Sequence, residues 1–184
     1  MPDTPIARRS LLRSSLFLIP GMAEALQHAH DSAKAAPARI EYLKPADAAE
    51  IEAMAAEIIP SGDSPGAKEA GVIYFIDRAL GSFDNEKRDL YRDGLLAAQT
   101  RRRAMFPESA SIAALSAKER IALLESIEKT AFFAALREHT IIAFFADPQW
   151  GGNRGKVGWK LIGFEDKFAF QPPFGYYDAP ENRQ

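Results

Sequence analysis

The chain has 184 residues, 47% apolar and 26% charged, with a formal net charge of −2. That size and composition suit one soluble domain with an appended tail, large enough to bury a core without staples and without the positive field that nucleic acid requires. The chain holds no cysteine, which excludes a thiol nucleophile, an Fe–S cluster, a cysteine-ligated zinc and a disulfide, and no apolar run approaches the ~20 residues that span a bilayer.

Residues 1–36 read as an export signal and linker, and residues 37–184 as the folded domain. Arg8, Arg9 and Arg13 precede Leu16-Phe17-Leu18-Ile19, and Ala33-Lys34-Ala35 has the small-x-small form of a signal-peptidase site. Arg8-Arg9-Ser10-Leu11-Leu12-Arg13 resembles a twin-arginine signal. Ala7 stands where Ser or Thr is usual, and Pro20 and Glu24 break the apolar stretch. The competing expectation is an amphipathic helix with Leu12, Leu16 and Ile19 on one stripe.

From Pro45, apolar residues at Ile51, Met54, Ala55, Ile58 and Ile59 have helical spacing, and Pro60 stops the run. Residues 61–66 are turn chemistry throughout. A second stripe runs Val72, Phe75, Ile76, Ala79, Leu80. A third runs Leu90, Tyr91, Gly94, Leu95, Ala98, with Asp84 or Asn85 as its expected cap. Ser116-Ala117-Lys118-Glu119 matches the capping box ahead of a fourth helix carrying Ile121, Leu124 and Ile127. Phe132, Phe133, Leu136, Ile141, Phe144 and Phe145 give a fifth, apolar on more than one side and therefore central. Asp147-Pro148 ends it. The expected fold is all-α, a compact domain of about five helices with an irregular tail rich in glycine and aromatic residues, in which no regular helix is expected.

The search for chemistry returns little. Gly151-Gly152-Asn153-Arg154-Gly155-Lys156-Val157 fails as a phosphate loop, because Trp150 replaces the first glycine and Val157 the metal-binding hydroxyl. His28 and His30 lack further ligands around them. His139 is expected to be structural or partly exposed, and Arg101-Arg102-Arg103 a solvated helix face. Asp63 and Asp77 could approach each other as an acid/base pair.

Two strings stand out. One is Ile58-Ile59-Pro60-Ser61-Gly62-Asp63-Ser64-Pro65-Gly66, followed by Ala70-Gly71-Val72 and, at the end of that stretch, Asp77. The other is Phe144-Phe145-Ala146-Asp147-Pro148-Gln149-Trp150-Gly151-Gly152-Asn153, then Gly158-Trp159-Lys160. At these residues, over most of 43–164, the chain resembles the gluconate 2-dehydrogenase subunit 3 family. The resemblance implies a non-catalytic, cofactor-free small subunit. Its partner would be a large FAD-containing flavoprotein of the glucose-methanol-choline type that oxidises a sugar, glycoside or sugar acid. Electrons would pass to a cytochrome c subunit carrying haem, or to another acceptor. It also implies periplasmic location after export through the twin-arginine translocase, with the membrane met only indirectly and no nucleic acid.

The resemblance makes Pro60, Gly66, Asp77, Asp147, Pro148, Trp150, Gly151, Gly152, Asn153, Gly158 and Trp159 the family signature and the candidate partner interface. Whether these residues touch a partner or brace one another is open at this level. Two rivals remain: a carbohydrate-binding module using the tail aromatics, and an enzyme in its own right using Asp63, Asp77 or His139.

Overall fold

A computed structural model describes residues 39–167. Six α-helices occupy them: α1 (Pro45–Ile58), α2 (Val72–Gly81), α3 (Arg88–Met105), α4 (Ala117–Ile127), α5 (Ala131–Phe145) and α6 (Val157–Leu161). Short 3-10 turns cover Asn85–Lys87, Pro148–Trp150 and Arg154–Lys156. No strand occurs among the described residues, so the all-α expectation holds. The expected N-terminal signal, His28, His30 and the aromatics beyond residue 167 lie outside the described residues.

Local signals set most boundaries. Pro45 opens α1, where its missing N–H costs nothing. Pro60 follows the end of that helix. Ser116 and Glu119 form the reciprocal capping box, with Ser116 N–H donating to Glu119 Oε2 at 2.9 Å. Thr130 caps α5 by accepting from Phe133 N–H.

Helix α5 packs against α1, α2, α3 and α6, which makes it the central helix. Phe132, Leu136, Ala143 and Phe144 are buried on it. Ile51 and Met54 of α1, Ile76 and Leu80 of α2, and Leu123 of α4 complete the best-buried part of the core. Gly94 lets α3 lie directly on the Phe132 ring; a Cβ there would overlap it.

Several expectations change. The α-helical part of α3 begins at Arg88 behind a 3-10 turn, and neither Asp84 nor Asn85 caps it through its side chain. Asp84 turns inward to His139 instead. Ile121 is 46% exposed and Leu123 takes its place in the core. Arg102 is buried, donating to the Ser109 carbonyl, while Arg101 and Arg103 face solvent. The tail does contain a regular helix, the five residues of α6.

The chain enters the domain on a fixed path. Asp77, buried on α2, accepts N–H bonds from Glu41 (2.8 Å), Tyr42 (3.0 Å) and Leu43 (2.7 Å). A carboxylate out of water needs such partners, and they tie the segment before α1 to the core.

Candidate functional site

The first signature string forms a locked turn. Ala67 N–H donates to the Ile59 carbonyl at 2.8 Å and closes the chain on itself. Gly66 lies against that backbone: a Cβ would stand 2.6 Å from Ile59 O, Pro60 C and Ser61 N. Glu69 Oε2 accepts from the Ser61 hydroxyl (2.6 Å) and from Gly66 N–H (2.9 Å). The Ser61 bond, ahead of the backbone donors, holds the Glu69 carboxyl below its usual range.

The second string closes the open end of α5. The last carbonyls of a helix have no partners within it. Asn153 is wholly buried and supplies two bonds: its Nδ2 donates to Ala146 O at 2.9 Å, and its Oδ1 accepts from Gly158 N–H at 2.8 Å. Its backbone is left-handed at φ 48°, a conformation asparagine tolerates better than most residues. Trp159 is buried and donates its indole N–H to Phe145 O at 2.7 Å. Gly152 and Gly158 lie on the carbonyls of Ala143 and Phe144, where a Cβ would fall inside contact distance. Asp147 accepts from Gln149 N–H at 2.9 Å and starts the turn at Pro148.

The two strings meet. Arg154 N–H donates to Ala70 O at 2.9 Å, and its guanidinium lies 5.2 Å over the Tyr74 ring. Arg78 donates to the Gln149 carbonyl. Gly151 (φ 104°) fits against the Tyr74–Phe75 backbone. The signature is thus one joint, clasping the α1–α2 turn, α2 and the end of α5.

Trp150 is the exception. It is 45% exposed and stands edge-on to Phe83, itself 52% exposed, with ring centroids 5.6 Å apart. Phe75 backs Phe83 at 5.8 Å. The strings that carry the signature do not include Phe83, since an exposed phenylalanine between two helices has no motif of its own.

His139 is buried rather than partly exposed. Its Nε2 lies 2.5 Å from Asp84 Oδ2 and its Nδ1 lies 2.8 Å from the Tyr91 hydroxyl. Lys87 Nζ meets Asp84 at 2.8 Å. Burial raises the Asp84 pKa, but the hydrogen bonds from Lys87 and His139 outweigh it and bring the group down to about 2 from 3.8. Burial, with the Asp84 and Glu138 charges, pushes Tyr91 up. This chain pins α3 and the 3-10 turn to α5.

A carboxyl lowered in the folded state stabilises the fold above its unfolded pKa and loses that contribution as pH falls through the folded value. Asp84→Asn should therefore cost about 2 kcal/mol at pH 7, and the gap to the parent should close between about pH 4 and pH 2. Urea unfolding across that range measures it; a gap constant with pH would mean the charge on Asp84 contributes nothing.

Asp77 is committed to the three backbone amides, and Asp63 sits exposed in the turn. Among the described residues, no group of three or more His, Asp or Glu stands together as metal ligands. No described helix is long and apolar enough to cross a membrane.

The family model described as gluconate 2-dehydrogenase subunit 3 matches residues 45–166. Comparison with curated proteins gives no match, and comparison with solved structures gives none.

Proposed function

The chain belongs to the gluconate 2-dehydrogenase subunit 3 family, and on that premise we propose that it is the non-catalytic small subunit of a periplasmic sugar, glycoside or sugar-acid dehydrogenase. Its partner is a large flavoprotein of the glucose-methanol-choline type. On this reading FAD belongs to that partner. Bound there, FAD would supply the two-electron oxidation of a substrate CH–OH group, and a cytochrome c haem would accept the electrons. The small subunit stabilises the flavoprotein. Arg8 and Arg9 direct the folded pair to the twin-arginine translocase, so that FAD is loaded before export.

The observation that carries this reading is the division within the signature. Trp159, Asn153 and the close-packed glycines are spent on the domain's own backbone, while Trp150 stands half outside, paired with Phe83. An aromatic held rigid at the surface is suited to anchor a partner. A carbohydrate platform is less well served, since the two rings cross at 77° and offer no common flat face.

Co-expression with the large flavoprotein, and purification through a tag on this chain, should yield a yellow stoichiometric complex that reduces an artificial acceptor with a sugar. A colourless lone chain beside an active flavoprotein would end the reading. Trp150→Ala should weaken the complex by about 2 kcal/mol, roughly thirty-fold, with the melting temperature unchanged. Trp159→Ala should instead lower the melting temperature. Titration of the lone chain with sugars should give no heat; a saturating signal would favour the carbohydrate module.

A further inference from the structure

Helices α1 and α3 face each other across a groove of about 500 Å3, within the size range of small-molecule sites. Both ends of it are fixed. At one end the wall is Tyr42-Leu43, whose amides are held by Asp77. At the other, Gln99 Nε2 of α3 donates to Glu50 Oε2 of α1 at 2.7 Å. The walls are thus tethered to each other and to the core, and the space between them is held open. Its floor is apolar and consists of Ile51, Leu80, Tyr91 and Leu95, all buried. Tyr91 lends its ring, since its hydroxyl is engaged with His139 Nδ1 at 2.8 Å. Leu96, 58% exposed, and Tyr42, 43% exposed, carry the apolar surface out to the mouth.

The mouth is charged, and its charges do not cancel. Arg92 is spent on Asp89 and Asp93. Arg88 lies 4.7 Å over the Tyr42 ring and donates to the carbonyls of Leu80 and Gly81, with no carboxylate against it. Lys44 is exposed and makes no ion pair. Of the two acids lining the groove, Asp89 faces Arg92 and only Asp47 remains. Asp47 lies in the first turn of α1, where the helix end already favours its charge. Among the lining residues, two cations are thus left without a carboxylate, against one such acid.

We propose that this groove binds a free medium-chain carboxylate, with its alkyl chain over Ile51, Leu80 and Leu95 and its head group at Lys44 and Arg88. An alkyl chain asks for no hydrogen bonds from a floor that offers none, and its burial is favourable in proportion to the apolar area covered. The excess positive charge at the mouth selects an anionic head over a neutral or cationic one. A sugar would bring hydroxyls to the same floor and leave them unpaired, at a cost. None of the lining residues belongs to the Trp150–Phe83 pair, and the site does not depend on the flavoprotein partner.

Isothermal titration of the full-length chain with decanoate, kept below its micellar range, should show a single saturable site. Decanol should bind more weakly, and decyltrimethylammonium roughly ten-fold more weakly than decanoate. Lys44→Glu should weaken decanoate roughly three- to five-fold. Leu96→Asp removes an exposed apolar group and adds a like charge, so it should weaken decanoate roughly ten-fold. Ile121→Asp makes the same change on α4, outside the groove, and should leave the affinity as it is. No saturable heat, or equal affinity for the three head groups, would overturn the proposal without recourse to any variant. So would a Leu96→Asp chain that loses the flavoprotein while decanoate gives no heat, in favour of a partner side chain in the groove. Decanoate binding as described, with no complex formed on co-expression, would uphold the groove and count against the flavoprotein reading alone.

Discussion

Asn153→Ala is expected to destabilise the domain by about 4 kcal/mol. The side chain is wholly buried and holds both the Ala146 carbonyl and the Gly158 amide. Alanine leaves the buried Gly158 amide and the partly buried Ala146 carbonyl without this partner, at about 1–3 kcal/mol each. It also keeps a Cβ at φ 48° while losing the local bonding that lets asparagine adopt the left-handed region, a further cost of about 1 kcal/mol. Asn153→Gly separates the two effects. It leaves the same groups unpaired but carries no strain, so it should cost about 1 kcal/mol less than alanine. Thermal unfolding reads both, with a drop of about 10–15 °C expected for alanine. Equal losses for the two variants would remove strain from the account, and losses under about 1 kcal/mol for both would remove the bonds.

Gly158→Ala should destabilise by about 3 kcal/mol, against the usual sign of such a change. Gly158 lies inside α6, where alanine ordinarily gains up to about 1 kcal/mol in helix propensity. Here the added Cβ falls on the Phe144 carbonyl, which belongs to the central helix and cannot swing aside. The α6 segment must lift, and Trp159 loses its bond to Phe145 O with it. Because Trp150 is already half exposed, a red shift in tryptophan emission would report Trp159 leaving the core. Gly155→Ala is the matched control. A Cβ there meets only Val157 at 3.9 Å, so its cost is confined to φ 65°, about 1 kcal/mol. A Gly158→Ala variant as stable as the parent would show that the close approach is not required.

Features acting within one helical turn were legible in the sequence. Pro45, Pro60, the Ser116–Glu119 box and Asp147-Pro148 mark ends that need no distant partner. The apolar run of α5 marked it as central because no single stripe held it. What was not legible depends on contacts between remote segments. Asp84 looked like a cap because its partner, His139, is 55 positions away. Leu123 and Leu124 adjoin, so periodicity alone left α4 free to rotate and put Ile121 in the wrong place. Arg102 continues the spacing of Tyr91, Leu95 and Ala98, but its acceptor is a loop carbonyl that no pattern announces. Trp150 and Trp159 looked alike in sequence; one extends into solvent and the other fills the end of α5.

The clasp between Arg154 and Ala70 also has a consequence in time. Roughly 80 residues separate the two halves, which a ribosome takes about 4–16 s to add. During that interval the turn at Gly66 and the first helices are already synthesised, but the segment that caps the central helix is not. The joint is thus the last part of the domain to become available. Under the folded export proposed above, closure of this joint is the event that the translocase would have to wait for.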